Sequence, residues 1–289
     1  MRTLPSRTLA LALGLTSLAC ASLPREAAPR PASPARQSSG ETTASAPSDA
    51  AALAKQLSNP VAALISVPLQ LNYDTDIGPG DGERGTLNVQ PVVPITLNED
   101  WNVISRTILP LIDQQDIPAG NDETGIGDVV QSFFFSPVAP TEGGWILGFG
   151  PVFLLPTASD ETLGGEQWGL GPTAVALKQD GPWTYGALAN HIWSFAGDDD
   201  RADVNLTFLQ PFLSYTTPEA VTYTLNSEST YDWEGDDLVV PVNALVSKVV
   251  NLGGQLVSIG GGVRYWAVDS DASPEGIGFR LVATLLFPK

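Results

Sequence analysis

The sequence predicts an all-β fold: a 12-stranded antiparallel up-and-down transmembrane β-barrel with one short helix before it. Three observations carry that expectation. From Val61 onward, twelve stretches of about 11 to 15 residues alternate with turn-rich breaks, and each is longer than the roughly five or six residues usual in soluble sheets. The breaks alternate between tight and longer, as expected of barrels with short turns at one end and loops at the other. Most of the 32 acidic residues gather at the longer breaks, so one end of the molecule is strongly negative.

Arg2 and Arg7 make a basic start, Leu9 to Leu18 an apolar core, and Ala19-Cys20-Ala21 a small-x-small cleavage pattern. Residues 1–21 therefore read as a secretory signal peptide, with lipidation of Cys20 as the rival reading. Residues 22–57 read as a flexible tether. Its first part is rich in Ala, Pro, Ser and Arg and buries too little apolar surface to offset its ordering entropy. Its last part, SDAAALAKQLS, predicts a short helix that Asn59-Pro60 ends.

Residues 58–289 hold the barrel. The expected strands are 62–74, 84–97, 100–113, 126–136, 144–156, 166–178, 182–196, 202–216, 219–233, 236–250, 254–268 and 276–287. Several alternate cleanly. Ile65, Val67, Leu69, Leu71 and Tyr73 share one face, as do Phe279, Leu281, Ala283, Leu285 and Phe287. Opposite faces carry mainly Thr, Asn, Gln, Arg and Gly. Lipid outside and a polar lumen inside produce this pattern. Strands 100–113, 202–216 and 236–250 alternate poorly, and their faces stay unassigned. The seven tryptophans fall near strand ends: Trp101, Trp145 and Trp183 after tight turns, and Trp168, Trp193, Trp233 and Trp266 beside loops. Two interfacial girdles are the expectation.

The formal net charge is −18, which argues against nucleic acid as a partner. Cys20 is the only cysteine and His191 the only histidine. Thiol catalysis and cysteine metal sites are thus absent from a chain cut after Ala21, and no enzyme activity or cofactor is expected. A pairing of Ser194 with His191 lacks a third partner on their shared strand. Asp198, Asp199, Asp200 and Asp203, and Asp232, Glu234, Asp236 and Asp237, offer oxygen ligands for Ca²⁺ or Mg²⁺, yet neither group has the spacing of an EF-hand loop. Solvated acidic loops are the simpler reading, with divalent bridging to lipopolysaccharide phosphate as a second.

Asn59-Pro60, Ala62-Ala63-Leu64-Ile65-Ser66-Val67-Pro68 and Asn72-Tyr73-Asp74 together resemble the opening of a family of outer-membrane transporters labelled "meta-pathway of phenol degradation", sometimes misnamed after neuromedin U. Gly125-Ile126-Gly127-Asp128, Gln167-Trp168-Gly169-Leu170-Gly171-Pro172, Gln210-Pro211-Phe212 and Phe279-Arg280-Leu281 are similar too. The resemblance spans roughly 58–289 and implies a β-barrel with a transport role in the outer membrane of a Gram-negative bacterium. One departure stands out: many such barrels end on an aromatic residue, whereas Phe287 is followed by Pro288 and Lys289. The expected surroundings are outer-membrane lipid, lipopolysaccharide, the barrel-assembly machinery and a small-molecule solute.

Parity turns Arg264, Arg280 and Glu228 toward the lumen. Arg106 follows on energy, because a charge facing lipid at the midplane costs about 2–4 kcal/mol. These four are the expected lining of a constriction for an anionic or aromatic solute, against the alternative of an internal salt-bridge network that only braces the wall. Inward glycines at 148, 150, 169, 171, 260, 262, 276 and 278 predict either close approach of another group or a sharp bend of the wall. One such patch is the expected dock for the helix.

Overall fold

The computed structural model describes residues 47–288. Polar groups of the backbone have no water to bond in hydrocarbon, so a spanning sheet must close on itself. This one does. Its twelve strands are β1 Ile65–Ile77, β2 82–96, β3 Trp101–Gln115, β4 123–137, β5 Trp145–Leu155, β6 Gln167–Asp180, β7 Trp183–Gly197, β8 Asn205–Thr216, β9 221–232, β10 Asp237–Leu252, β11 Gln255–Val268 and β12 Ile277–Phe287. Every neighbour pairs antiparallel, and β12 closes on β1 from Ile65↔Phe287 to Tyr73↔Phe279. All twelve expected strands are present.

Three strands are locally interrupted: β2 between Val89 and Val92, β4 between Ile126 and Val129, and β9 at Glu228. The helix α1, Pro47–Leu57, precedes the barrel, with Asp49 in its first turn and Lys55 in its last. No described helix is long and apolar enough to cross a membrane.

The two faces of the wall are inverted relative to a soluble protein. Large apolar side chains point outward, with Phe279 58% and Leu281 61% exposed. Polar side chains line the inside, including Ser66, Asn72, Gln90, Thr173, Ser214, Asn243, Arg264 and Arg280. That arrangement suits lipid outside and a hydrated or ligand-filled lumen.

The interior is not polar throughout. Ile104, Phe134, Val175, Leu177 and Leu188 form a buried apolar cluster that Val61 joins, with Phe208 and Phe212 packed against it. This explains why two of the three ambiguous strands alternate poorly. In β3 the inward residues are Ile104, Arg106 and Gln114, and in β8 they include Phe208 and Phe212, so both faces carry apolar groups. A second cluster brings Ala54 of α1 onto Ala220, Val249 and Leu286, with Leu53 and Leu57 beside it.

The helix thus lies inside the barrel mouth at the tight-turn end, where both barrel termini also lie. Lys55 Nζ donates to Gly181 O at 2.6 Å, and Gln179 Nε2 donates to Lys55 O at 2.8 Å, which satisfies one carbonyl of the last helical turn. The helix does not dock on a glycine patch as expected. Val61, just after it, is the residue that reaches Gly148.

Several inward glycines permit close approach of neighbouring backbones. A Cβ at Gly150, Gly171 or Gly262 would run into the carbonyl oxygens of Phe133, His191 or Ala244 on the next strand. Neighbouring backbones approach too closely there for any side chain.

Candidate lumen site

Two of the strand interruptions turn the polar side chains of Glu228 and Gln90 into the lumen. Proline has no N–H for the ladder. At Pro241 of β10 the facing strand β9 leaves its register. The Glu228 amide turns to donate to Pro241 O at 3.3 Å, and the Glu228 side chain enters the lumen. Pro91 interrupts β2 in the same way. Gln90 N donates to Pro68 O at 2.8 Å, Thr107 N donates to Pro91 O at 3.1 Å, and the Gln90 side chain lies buried inside.

All four residues expected to line the lumen lie on its inner face, and they divide into two kinds. Arg280 and Arg264 are braced. Arg280 Nη1 and Nη2 donate to Glu228 Oε1 and Oε2 at 2.8 and 2.7 Å, and Nε donates to Asn72 Oδ1 at 2.7 Å. This fork-to-fork pairing is among the strongest side-chain geometries. Arg264 Nη1 donates to Asp74 Oδ2 at 2.7 Å, Nε donates to Asn243 Oδ1 at 3.2 Å, and Nη2 stands 3.9 Å from Glu228 Oε2. Its guanidinium also lies 4.8 Å from the centre of the Trp266 ring, and Trp266 Nε1 donates to Asp74 Oδ1 at 3.2 Å. Arg106 differs. Among the described residues its one hydrogen bond runs from Nη2 to Gln90 Oε1 at 3.0 Å, and no carboxylate lies within salt-bridge distance of it.

Trp266 corrects the sequence reading, and Asp74 is a lumen residue that reading did not single out. Trp266 points inward and covers Arg264, so it is not a girdle residue. Trp145, Trp168, Trp183, Trp193 and Trp233 are exposed on the outer wall, as girdles require. The parity of β1 contained the signal for Asn72 and Asp74: they fall on the side opposite Leu69, Leu71 and Tyr73. Gly278 completes the fit, since a Cβ there would collide with the Asp74 carboxylate.

A cavity of about 280 Å³ lies between this network and α1. Gln90, Arg106, Glu228 and Arg280 border it on one side, and Leu57, Pro60 and Leu64 on the other. Val92 and Phe212 contribute apolar wall.

The loop end is organised separately. Asp128, released from the β4 ladder, accepts from the amides of Thr157 and Ala158 at 3.1 Å each and of Gly165 at 2.7 Å. Gly125 leaves room for Ser159 and Leu163 of the same loop. Arg201 Nη2 donates to Gly164 O at 2.6 Å and to Glu161 O at 2.8 Å. The Gly125-Ile126-Gly127-Asp128 motif therefore pins the 156–166 loop. The loop carboxylates once weighed as metal ligands bond locally: Asp198 Oδ1 accepts from Asp200 N at 2.8 Å, and Asp203 Oδ1 from Ser194 Oγ at 2.9 Å. His191 and Ser194 lie on opposite faces of β7; His191 Nδ1 stands 2.6 Å from Thr207 Oγ1 on the outer wall.

Fold and lining together define a membrane-spanning β-barrel with a charged lumen. The crystal structure of an outer membrane channel from Pseudomonas putida F1 shares the fold, with a TM-score of 0.62 at 15% identity over 78% of this chain and 96% of that one. Outer membrane phospholipase A from Escherichia coli aligns more loosely, with a TM-score of 0.48 at 10% identity over 76% of this chain and 90% of that one. No family model matches the chain. No curated protein matches it either.

Proposed function

We propose that this protein is a channel in the outer membrane of a Gram-negative bacterium, passing small anionic or aromatic solutes, with α1 held as a plug at the periplasmic mouth. The observation that carries this reading is the cavity bounded by the arginine-rich network on one side and the docked helix on the other. The shared fold with a protein named an outer membrane channel supports the reading. So does the resemblance to outer-membrane transporters. In this arrangement residues 1–21 direct export, 22–57 form the tether that ends in α1, the tight turns face the periplasm, and the acidic loops meet the lipopolysaccharide layer.

Planar-bilayer recording tests the proposal. The mature chain is expected to give small discrete steps, and the form lacking residues 22–57 is expected to give larger ones. If neither form conducts, and both show the heat-modifiable mobility of a folded barrel, the channel reading fails and a structural or adhesive barrel replaces it.

A further inference from the structure

Among the described residues the lumen holds four guanidinium groups, Arg84, Arg106, Arg264 and Arg280, against the carboxylates of Asp74 and Glu228. Both carboxylates are taken up by Arg264 and Arg280. Arg84 Nε donates to Gln114 Oε1 at 3.1 Å, among the groups that hold the loop end. Arg106 alone of the four both lines the cavity and has no carboxylate within salt-bridge distance among the described residues.

A guanidinium carries five N–H donors in a rigid fork that matches a carboxylate edge. Among the described residues Gln90 is the one acceptor for that fork. The other N–H groups of Arg106 are not enclosed by protein but open onto the cavity, where a guanidinium held away from bulk water is ordinarily paired. Next to the fork the wall turns apolar: Val92 stands opposite Arg106 in the sheet register, and Phe212, Pro60 and Leu64 border the same space. At about 280 Å³ the cavity falls just short of the roughly 300–1,000 Å³ of sites for drug-sized ligands, which leaves room for a single ring or a short chain.

We infer that Arg106 is the anchor of a binding site for a small monocarboxylate with an aromatic or short aliphatic body. The carboxylate sits on the Arg106 fork in place of the missing acidic partner. The body lies between Val92 and Phe212, beneath the turn that follows α1. A polyanion such as phosphate is disfavoured, because the apolar wall replaces none of its hydration. This deepens the channel reading by naming the solute class, and it rests on that reading for its physiological role. Binding itself does not depend on conduction.

The test is calorimetry on the detergent-solubilised mature protein, titrated with benzoate and with benzamide, its uncharged analogue. Benzoate is expected to bind at least tenfold more tightly than benzamide. Arg106→Gln is expected to weaken benzoate about 10- to 100-fold and to leave benzamide unchanged, since a charge-assisted fork is lost. Arg106→Lys is expected to fall between, keeping charge without the fork. Equal binding of the two probes by the wild type, no benzoate binding, or an unaltered Arg106→Gln variant would each overturn the site. Inorganic phosphate displacing benzoate at matched concentration would overturn the monocarboxylate class. If Arg106→Gln does not fold, the two-probe comparison on the wild type decides alone. A barrel that binds benzoate but passes no current retains the site and loses the channel, so the two failures are separable.

Discussion

Glu228 is the residue on which the lumen charges depend. It accepts the Arg280 fork on both oxygens and stands within ion-pair distance of Arg264. Removing one member of a buried pair costs about 3–5 kcal/mol, chiefly because the other charge is stranded. Replacing both with apolar groups costs far less for the same reason. Glu228→Leu alone is therefore expected to lower the urea midpoint for unfolding from lipid vesicles markedly, and Glu228→Leu with Arg280→Leu to recover most of the loss. Additive losses from the two changes would show that the fork carries little coupling. Neighbouring Asn72 and Asn243 donate no charge but fix the two arginine orientations, and their replacement by Ala should act through Arg280 and Arg264, not independently.

At the scale of elements, the twelve strands were legible because lipid requires a repeating period of two over long runs, which is a local signal. Their ends matched within a few residues. The strands that resisted assignment, β3 and β8 above all, did so for a physical reason. Their inward residues Ile104, Phe208 and Phe212 pack against Phe134 and Val61 from distant parts of the chain, so both faces look greasy. The docking of α1 was equally hidden, because Ala54 meets Ala220, Val249 and Leu286 only after the barrel closes. The breaks at Pro91 and Pro241 carried a visible cue, proline within a strand, but their consequence for Gln90 and Glu228 depends on pairing partners. Two expectations follow for these elements. Ala54→Glu should undock α1, exposing residues 47–60 to protease and raising conductance, whereas Asp49→Ala on the exposed side of the helix should do neither. Gly171→Ala should impair folding into vesicles far more than Gly85→Ala, since a methyl at 171 meets the His191 carbonyl while one at 85 has its nearest neighbour 3.8 Å away.

For the whole molecule the governing quantity is the sign of the solvent preference on each face. Phe279, Arg280 and Leu281 are consecutive in β12, yet Arg280 is 2% exposed and its neighbours are among the most exposed large apolar residues of the barrel. In water that order would be unstable, with greasy side chains wetted and a cation enclosed. In a bilayer both choices are favourable, and the Arg280 charge is satisfied by Asn72, its register neighbour on β1, and by Glu228 reaching in from β9. A charge moved one residue along should therefore reverse its effect. Leu281→Arg places a cation in hydrocarbon at a cost of about 2–4 kcal/mol near the midplane. Val282→Arg turns the same group toward the cavity that holds Arg106 and Glu228. Refolding yield into vesicles should fall steeply for Leu281→Arg and less for Val282→Arg. In a detergent-free aqueous buffer neither variant should be soluble and monodisperse, whereas a soluble sandwich would gain solubility from Leu281→Arg. That gain would show water, not lipid, to be the solvent of the outer wall.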